Sequence, residues 1–223
     1  MIKKLILTLF LIPLISFGDS AERILNEAIN RLPKEPLEIK GTLRIRTPNG
    51  SNKFIHSVHI ISKLGESIPL TKYKINDDTM LMEWIKLKPT YTFSNSSTKI
   101  TDDISSTKMT WGELSFSFLW WKNAKIIKMS KKINRSAWLI EIPYPESDNT
   151  LRVWIDVEML FPLEVQSLNK NKKIEKTLRV KRFRKIDEIW FPQQIEILHQ
   201  SSQDRSILWI DELSIIKYLS IHP

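Results

Sequence analysis

The chain has 223 residues, of which 42% are hydrophobic, and this composition suits one domain with a real core and excludes a disordered chain. Only 5 residues are Gly, which argues against Gly-dependent phosphate loops, and the absence of Cys excludes disulfides and a cysteine nucleophile. The formal net charge of +9 favours anionic membrane surfaces or acidic partners.

Residues 1–18 form a separate unit. Two lysines precede an apolar run over residues 5–17, which is shorter than the roughly 20 residues that span a bilayer. Small residues follow, ending at Gly18. This pattern is typical of a secretory signal peptide cleaved near Gly18, and an uncleaved membrane anchor is the alternative. We therefore predict an exported protein with a single domain over residues 19–223, for which nucleic acid is not an expected partner.

Residues 19–32 are predicted to form an amphipathic helix. Leu25 and Ile29 belong to a set of apolar residues at helical spacing. Either Asp19 or Ser20 can cap the first turn, and two prolines after residue 32 end the helix.

From residue 39 onwards, apolar and polar residues alternate. Leu43 and Ile45, for example, alternate with Arg44 and Arg46. This is the pattern of an antiparallel sheet with one apolar and one polar face. The predicted strands cover residues 39–46, 54–63, 68–75, 79–87, 91–93, 125–129, 137–142, 151–157, 162–168, 176–184, 190–199 and 206–216. The alternation breaks around Phe183, which indicates a bulge or a strand end.

The alternation is clearest in the last third of the chain. The apolar residues that share one face there are Leu151, Val153, Ile155, Leu163, Val165, Leu178 and Val180. A sheet with one apolar face must be covered by something, and the chain offers only residues 19–32 and residues 110–121 as covers. If two short segments leave part of a curved sheet unfilled, the remainder forms a hydrophobic cavity.

The second of these covers is rich in aromatic residues. Residues 95–108 before it are polar and are predicted to form a mobile surface loop. Residues 110–121 read TWGELSFSFLWW, where Thr110 and Glu113 have the spacing of a capping box. We predict a short helix or an irregular segment, although the alternation within it also fits a strand. Its aromatic side chains are either ordinary core or an apolar lid over the sheet.

The sequence offers no catalytic constellation. His56 and His59 are three residues apart in a predicted strand, so they point to opposite faces and make a poor metal pair. Asp156 and Asp211 each follow a Trp-Ile pair in two similar sequence motifs. Side-chain hydrogen bonds at strand ends explain these two aspartates better than a role in acid–base chemistry. Because nucleotide-loop and hydrolase motifs are also absent, we predict no enzymatic activity, no metal site and no cofactor.

The order of short sequence motifs in the second half of the chain resembles that of the outer-membrane lipoprotein-sorting proteins, the LolA-like class. The motifs are WID at 154–156, PLE at 162–164, a polar turn at 169–173, KTLRVKRFRK at 176–185, WFPQQIEI at 190–197 and LWIDEL at 208–213. The resemblance covers about residues 110–213, and the signal peptide, first helix and early strands are compatible with it. One departure is Asn171, which stands where many members have Gly.

The resemblance implies a mainly β fold, a half-open and strongly curved antiparallel β-barrel capped by short helices. It implies a periplasmic, monomeric carrier or chaperone that binds acyl chains of lipoproteins or other lipids and moves them towards the outer membrane. The implied partners are an inner-membrane ABC transporter, an outer-membrane acceptor and, transiently, the membrane surface. A sensing or adaptor domain that binds a protein through its basic face, and a secreted hydrolase, are the alternatives.

The same interpretation assigns candidate site residues. The expected cavity wall consists of Leu43, Ile45, Leu151, Val153, Ile155, Leu163, Val165, Leu178 and Val180. The expected lid residues are Leu25, Ile29, Trp111, Phe116, Phe118, Trp120 and Trp121. In the classical carriers an arginine latches the lid. Arg44 and Arg46 lie opposite Leu43 and Ile45, so neither is expected to be such a latch if those two residues line the cavity.

Overall fold

The computed structural model describes residues 20–85, 88–145, 147–186 and 189–216. The predicted signal peptide, residues 1–18, lies outside the described residues. Within them, twelve antiparallel strands form one curved open sheet with short helices, which confirms the predicted fold class.

The helices and strands lie close to their predicted positions. The helices are α1 (Ala21–Asn30), α2 (Trp111–Leu114) and a 3₁₀ helix (Ser117–Trp120). The strands are β1 (Leu37–Arg46), β2 (Asn52–Lys63), β3 (Leu70–Ile75), β4 (Asp78–Ile85), β5 (Lys88–Phe93), β6 (Lys125–Lys132), β7 (Arg135–Pro143), β8 (Thr150–Asp156), β9 (Pro162–Leu168), β10 (Ile174–Ile186), β11 (Ile189–His199) and β12 (Arg205–Ile215). The predicted irregularity around Phe183 is confirmed, because the register of β10 and β11 shifts between Val180 and Phe183.

The sheet consists of two meanders joined at their first and last strands. Its strand order is β5-β4-β3-β2-β1-β12-β11-β10-β9-β8-β7-β6. Strands β5 and β6, which follow each other in the chain, therefore lie at opposite edges. Residues 94–124 connect them and must cross the sheet from edge to edge; we call them the crossing segment.

The two ends of the sheet differ in the loops they carry. Because neighbouring strands are antiparallel, consecutive turns alternate between the ends. The turns β2–β3, β4–β5, β6–β7, β8–β9 and β10–β11 lie at one end, together with the residues that lead from α1 into β1. We call this the mouth end. The turns β1–β2, β3–β4, β7–β8, β9–β10 and β11–β12 lie at the other, which we call the plugged end.

The first helix forms as predicted and is capped by Ser20. The Ser20 hydroxyl oxygen accepts a hydrogen bond from the Arg23 backbone N–H at 3.1 Å. Ile24 and Leu25 are buried, so the apolar face of α1 packs into the core. Among the helices of the described residues, none is both long enough and apolar enough to cross a membrane.

The apolar side chains form one large cluster and one small cluster. The large cluster joins the inner face of both meanders with α1 and the crossing segment. The small cluster, on the opposite face, contains Ala137, Leu139, Trp154 and Leu163. Strict alternation had predicted that Leu163 shares a face with Val165. The register of β8 and β9 instead shifts between Trp154 and Ile155, and this bulge leaves Leu163 in the small cluster.

The polar stretch at residues 95–108 has no helix or strand, as predicted, but it is not simply a surface loop. Ile104 and Thr107 are completely buried, and the neighbouring Met109 is also buried. The Ser105 hydroxyl donates to Asp78 at 2.8 Å, which ties the stretch to the β3–β4 turn. This part of the crossing segment therefore fills the plugged end.

Candidate functional site

The central part of the crossing segment forms the cover that the sequence suggested. The Thr110 hydroxyl oxygen accepts from the Glu113 N–H at 3.1 Å, and the Glu113 carboxylate accepts from the Thr110 N–H at 2.8 Å. This capping box starts α2, so the helical interpretation is confirmed and the strand alternative is wrong. Phe116 then adopts a left-handed conformation (φ 52°, ψ 35°), which separates α2 from the 3₁₀ helix.

An apolar cleft lies between this cover and the sheet at the mouth end. Its cavity volume is about 160 Å³. The end of α1, the crossing segment, both meanders and the β8–β9 turn contribute to it. Its apolar lining residues include Leu37, Ile39, Ile60, Tyr73, Met82, Trp84, Phe116, Leu119, Trp120, Phe161, Phe183, Trp190, Phe191, Ile195, Leu208 and Ile210. Few polar side chains reach this space, so the cleft suits an apolar ligand.

Aromatic contacts hold the cover over the cleft. The rings of Trp120 and Trp84 pack with centroids 5.4 Å apart. Phe116 meets Phe161 edge to face at 5.5 Å, and Phe161 in turn meets Phe183 at 5.7 Å. These rings connect the crossing segment to β4, to the β8–β9 turn and to β10. Because these contacts join apolar ring surfaces, the cover and the sheet can separate here without leaving unpaired polar groups.

A second cavity lies on the other side of the cover and has a different character. Its volume is about 260 Å³, and polar side chains such as Glu113, Lys176 and Ser167 line it beside aromatic rings. Trp121 and Tyr144 pack at 4.8 Å, and the Tyr144 hydroxyl shares a hydrogen bond with the Ser167 hydroxyl at 3.1 Å. Burial raises the pKa of Tyr144 to about 12, so this phenol stays neutral.

Lys176 on β10 ties the crossing segment to the sheet beside the second cavity. Its ammonium donates to the Lys108 carbonyl oxygen at 2.9 Å and lies 3.4 Å from Glu113 and 3.6 Å from Asp103. Burial raises the pKa of Glu113, and the charge of Lys176 opposes that rise. A lysine on β10 therefore makes these polar contacts with the crossing segment.

A second polar cluster completes the attachment at the plugged end. The Lys108 ammonium lies 2.7 Å from Asp204 and 3.0 Å from the Ser202 hydroxyl, both in the β11–β12 turn. The Ser206 hydroxyl donates to the Thr107 carbonyl oxygen. These bonds join the crossing segment to strands that are nearly a hundred residues away in sequence.

Both early arginines lie on the face of β1 opposite Leu43 and Ile45. Leu43 and Ile45 are buried, and Arg44 and Arg46 alternate with them on the opposite face. The Arg46 guanidinium donates to the Gly50 carbonyl oxygen at 3.1 Å in the β1–β2 turn. The side-chain hydrogen bond described for Arg46 therefore lies away from the crossing segment, and the Arg44 Nε is buried without a hydrogen-bond partner among the described residues.

The predicted wall residues are distributed between the core and the second cavity. Leu151, Val165 and Leu178 line the second cavity. A further five are buried but line neither cavity: Leu43, Ile45, Val153, Ile155 and Val180. Leu163 lies in the small cluster on the opposite face, as described above.

The predicted lid residues divide in a similar way. Phe116 and Trp120 line the apolar cleft, whereas Phe118 and Trp121 line the second cavity. Leu25 and Trp111 are buried within the large cluster, and Ile29 packs against it. The cover therefore presents one set of aromatic side chains to each cavity.

Sequence reasoning missed the residues that line the cleft from β1, β2, β11 and β12. Leu37 and Ile39 lie on the same face as Leu43, but six and four residues nearer the mouth end. Alternation identifies the face of a strand and carries no information on depth along it. The aromatic residues Trp190 and Phe191 were a usable signal, because they adjoin a turn at the mouth end.

Two buried carboxylates on the outer face, Glu164 and Asp156, are paired with cations. Burial opposes the charge of Glu164, but hydrogen bonds from Lys132 and Arg179 outweigh it and lower the pKa of this carboxyl. Burial likewise opposes the charge of Asp156, and the hydrogen bond from Arg135 helps to lower the pKa of this carboxyl. Across the part of the chain that the structure describes, no group of three or more potential metal ligands comes together.

The comparisons with known proteins agree on the fold. A DUF1329 family protein from Desulfovibrio piger is 13% identical, with 89% of this chain and 93% of that chain covered and a TM-score of 0.69. A LolA superfamily protein from Nitrosomonas europaea is 14% identical, with coverages of 90% and 96% and a TM-score of 0.66. A protein from Vibrio parahaemolyticus described as an outer membrane lipoprotein-sorting protein domain is 12% identical, with coverages of 90% and 94% and a TM-score of 0.69.

The sequence comparisons are narrower. No curated protein matches the sequence. One family model, described as "Uncharacterized protein", matches residues 94–220, which is more than half of the 223 residues. This match includes the crossing segment and the whole second meander. The chain therefore has the fold of the LolA superfamily and belongs to the family whose model matches residues 94–220.

Proposed function

We propose that this protein is a periplasmic carrier or chaperone that holds the acyl chains of lipoproteins or other lipids in the apolar cleft. The observation that carries the proposal is the lining of the cleft, where apolar side chains from α1, the crossing segment and both meanders surround one space. The fold supports it, because similar structures include a LolA superfamily protein and a lipoprotein-sorting protein domain.

The energetics of burial favour an acyl ligand. Each CH₂ group removed from water contributes about 0.8 kcal/mol, so an apolar cleft offsets most of the cost of taking a chain out of a bilayer. The cleft of about 160 Å³ is bounded by Phe116 and Trp120. In this proposal a long chain enters as these rings move outwards, and aromatic packing contributes to holding them in place.

In this proposal the protein acts by binding and release, without catalysis. The cleft contributes apolar walls, and the charged pairs of Glu164 and Asp156 lie on the opposite face of the sheet. An inner-membrane ABC transporter as donor and an outer-membrane acceptor follow from the resemblance to lipoprotein-sorting proteins. The lining of the cleft supports the proposed class of cargo, and the resemblance supports the proposed partners.

A binding titration tests the proposal. The delipidated full chain is titrated with a fluorescent long-chain fatty acid, and saturable binding is expected. Ser62 lines the cleft, and Ser62→Phe fills part of it without removing core side chains. We expect this variant to weaken probe binding by about tenfold or more, which corresponds to about 1.4 kcal/mol.

The matched control is Ser136→Phe, the same replacement at an exposed position on β7. It should bind the probe like the wild type. Failure of the wild-type chain to bind any acyl probe would overturn the proposal, as would equal weakening by both variants.

A further inference from the structure

The mouth end of the sheet carries an unusual set of exposed apolar side chains. Four turns at this end each contribute one: Ile68 beside the β2–β3 turn is 58% exposed, and Ile85, Ile133 and Trp190 at three other turns are each 53% exposed. The described residues contain nine exposed large apolar side chains, so almost half of them converge on one end. Single exposed apolar residues need no explanation, but four on separate turns around one opening do.

Exposed cations accompany these side chains. Arg31 and Lys34 lie between α1 and β1, Lys88 begins β5, Lys131 precedes Ile133, and Arg184 lies near the mouth end of β10. All five are exposed, and no ion pair joins any of them to a described carboxylate.

Two of the described acidic groups at the mouth end are paired with cations. Glu66 pairs with Lys63 at 3.4 Å, and Glu158 pairs with Arg135 at 3.0 Å. Glu35 is the exposed carboxylate of the connection into β1. The described charge of this end is therefore positive, in agreement with the net charge of +9 for the whole chain.

We propose that the mouth end is a docking surface for an anionic lipid bilayer. The isoleucine and tryptophan side chains at the turns and at the adjoining strand ends insert among acyl chains and headgroups. The surrounding lysines and arginines bind lipid phosphates. Trp190 belongs both to this surface and to the cleft lining. Docking therefore brings the cleft opening against the bilayer, so that an acyl chain passes between them without crossing water. This step deepens the proposed carrier function and rests on it for its purpose, although the docking itself does not require cargo.

Vesicle cosedimentation of the full chain tests the surface. We expect binding to vesicles that contain phosphatidylglycerol, weaker binding to pure phosphatidylcholine vesicles, and loss of binding at high salt. The double variant Ile68→Ser, Ile133→Ser removes two apolar tips, and Lys34→Glu, Lys131→Glu reverses two charges. Each should weaken binding to the anionic vesicles by about tenfold or more.

Matched controls lie at the plugged end. Ile55→Ser, Ile174→Ser removes two other exposed apolar side chains, and Lys170→Glu, Lys173→Glu reverses two other exposed charges. Both control variants leave the mouth end unchanged. Each should therefore bind the anionic vesicles with an affinity within about twofold of the wild type. Vesicle binding that is unchanged in the mouth-end variants, or equally lost in the controls, overturns the proposal. A wild-type chain that binds neither vesicle also overturns it and leaves a protein as the occupant of this end.

The acyl-probe titration separates this proposal from the carrier function. The Ile68→Ser, Ile133→Ser variant should lose vesicle binding and keep probe binding, because neither residue lines the cleft. A wild-type chain that binds vesicles but no acyl probe would refute the carrier function and leave the docking surface standing.

Discussion

The crossing segment is attached to the sheet in two different ways, one at the plugged end of the sheet and the other at the mouth end. At the plugged end, buried apolar residues combine with directional polar contacts, such as those of Lys176 with Glu113 and of Lys108 with Asp204. At the mouth end, partly buried rings such as Phe116 and Trp120 make the attachment. Directional bonds in a partly buried site are costly to break, because each leaves an unpaired group, whereas apolar surfaces separate gradually.

This difference indicates where the cover can move. We infer that the crossing segment is held fixed at the plugged end of the sheet and that the cleft opens at the mouth end. The comparison predicts that substitutions at the plugged end act mainly on stability, and that substitutions at the mouth end act mainly on ligand binding. The following predictions are ordered from the largest expected effect to the smallest.

Trp111→Ala should produce the largest loss of stability. Trp111 is only 2% exposed and packs edge to face against Phe93 at 5.9 Å in the plugged end. Removing so large a buried ring should lower the free energy of unfolding by about 3–5 kcal/mol. Trp190→Ala, at the exposed mouth end, is the matched control and should cost less than about 1 kcal/mol. Urea denaturation of both variants makes the measurement, and equal losses would contradict the distinction between the two ends.

The plugged end should also lose stability in acid through His199. Burial, aided by the charges of Lys176 and Lys108, lowers the pKa of this imidazole to about 4 from an ordinary value of 6.5. The Ser206 hydroxyl donates to Thr107, so the neutral His199 ring donates to Ser206 through Nε2, at 2.8 Å. As the pH falls from 6.5 to 4, the His199 imidazole becomes protonated in the unfolded chain but stays neutral in the folded chain. Stability present above pH 6.5 is therefore lost across this window, by up to about 3 kcal/mol.

The control for this pH dependence is His199→Gln. Glutamine keeps an N–H donor towards Ser206 and has no titrating group. The difference in unfolding free energy between wild type and variant should shrink or reverse between pH 7 and pH 4. The paired carboxyls Asp156 and Glu164 titrate in both proteins, so they cancel in the difference. A constant difference across the window would show that His199 is not the responsible group.

Lys176→Met should have an intermediate effect. The variant keeps the length of the side chain but removes the charge beside Glu113, whose pKa should then rise further. Because the Lys176 side chain is 25% exposed and that of Glu113 is 18% exposed, solvent screens the pair, and we expect a loss of about 1–2 kcal/mol at neutral pH. Adding Glu113→Gln should restore part of this loss. A double variant no more stable than Lys176→Met would contradict the assignment.

Much of the fold was readable from local sequence patterns. The first helix, the capping box of Thr110 and strand β9 at 162–168 depend on neighbours within a few residues, and all three were predicted, with Ser20 as one of two candidate caps of the helix. Leu163 was misplaced because its orientation depends on the register between β8 and β9, which a bulge shifts. Register is a non-local property, and one extra residue turns a side chain to the other face.

The site was harder to predict than the fold. Leu43 and Ile39 have the same sequence signature and the same face, yet only Ile39 lines the cleft. What separates them is the path of the crossing segment, which buries one region and leaves the other open. The contacts that set this path, such as Lys108 with Asp204, join residues 96 positions apart and leave no local pattern. Sequence alternation therefore identified the apolar face, and tertiary structure decided which part of it is accessible.

Thr110→Ala should have the smallest effect and tests the fixed end most directly. The variant removes the hydroxyl that accepts from the Glu113 N–H, and loss of such a cap costs about 1 kcal/mol. Thr110 lines the second cavity and not the apolar cleft, so acyl-probe affinity should stay within about twofold of the wild type. Ser20→Ala removes the equivalent cap of α1 and provides a matched control for the loss of stability. If Thr110→Ala instead weakened probe binding as strongly as Ser62→Phe, the crossing segment would move as one piece, and the plugged end could not be its fixed end.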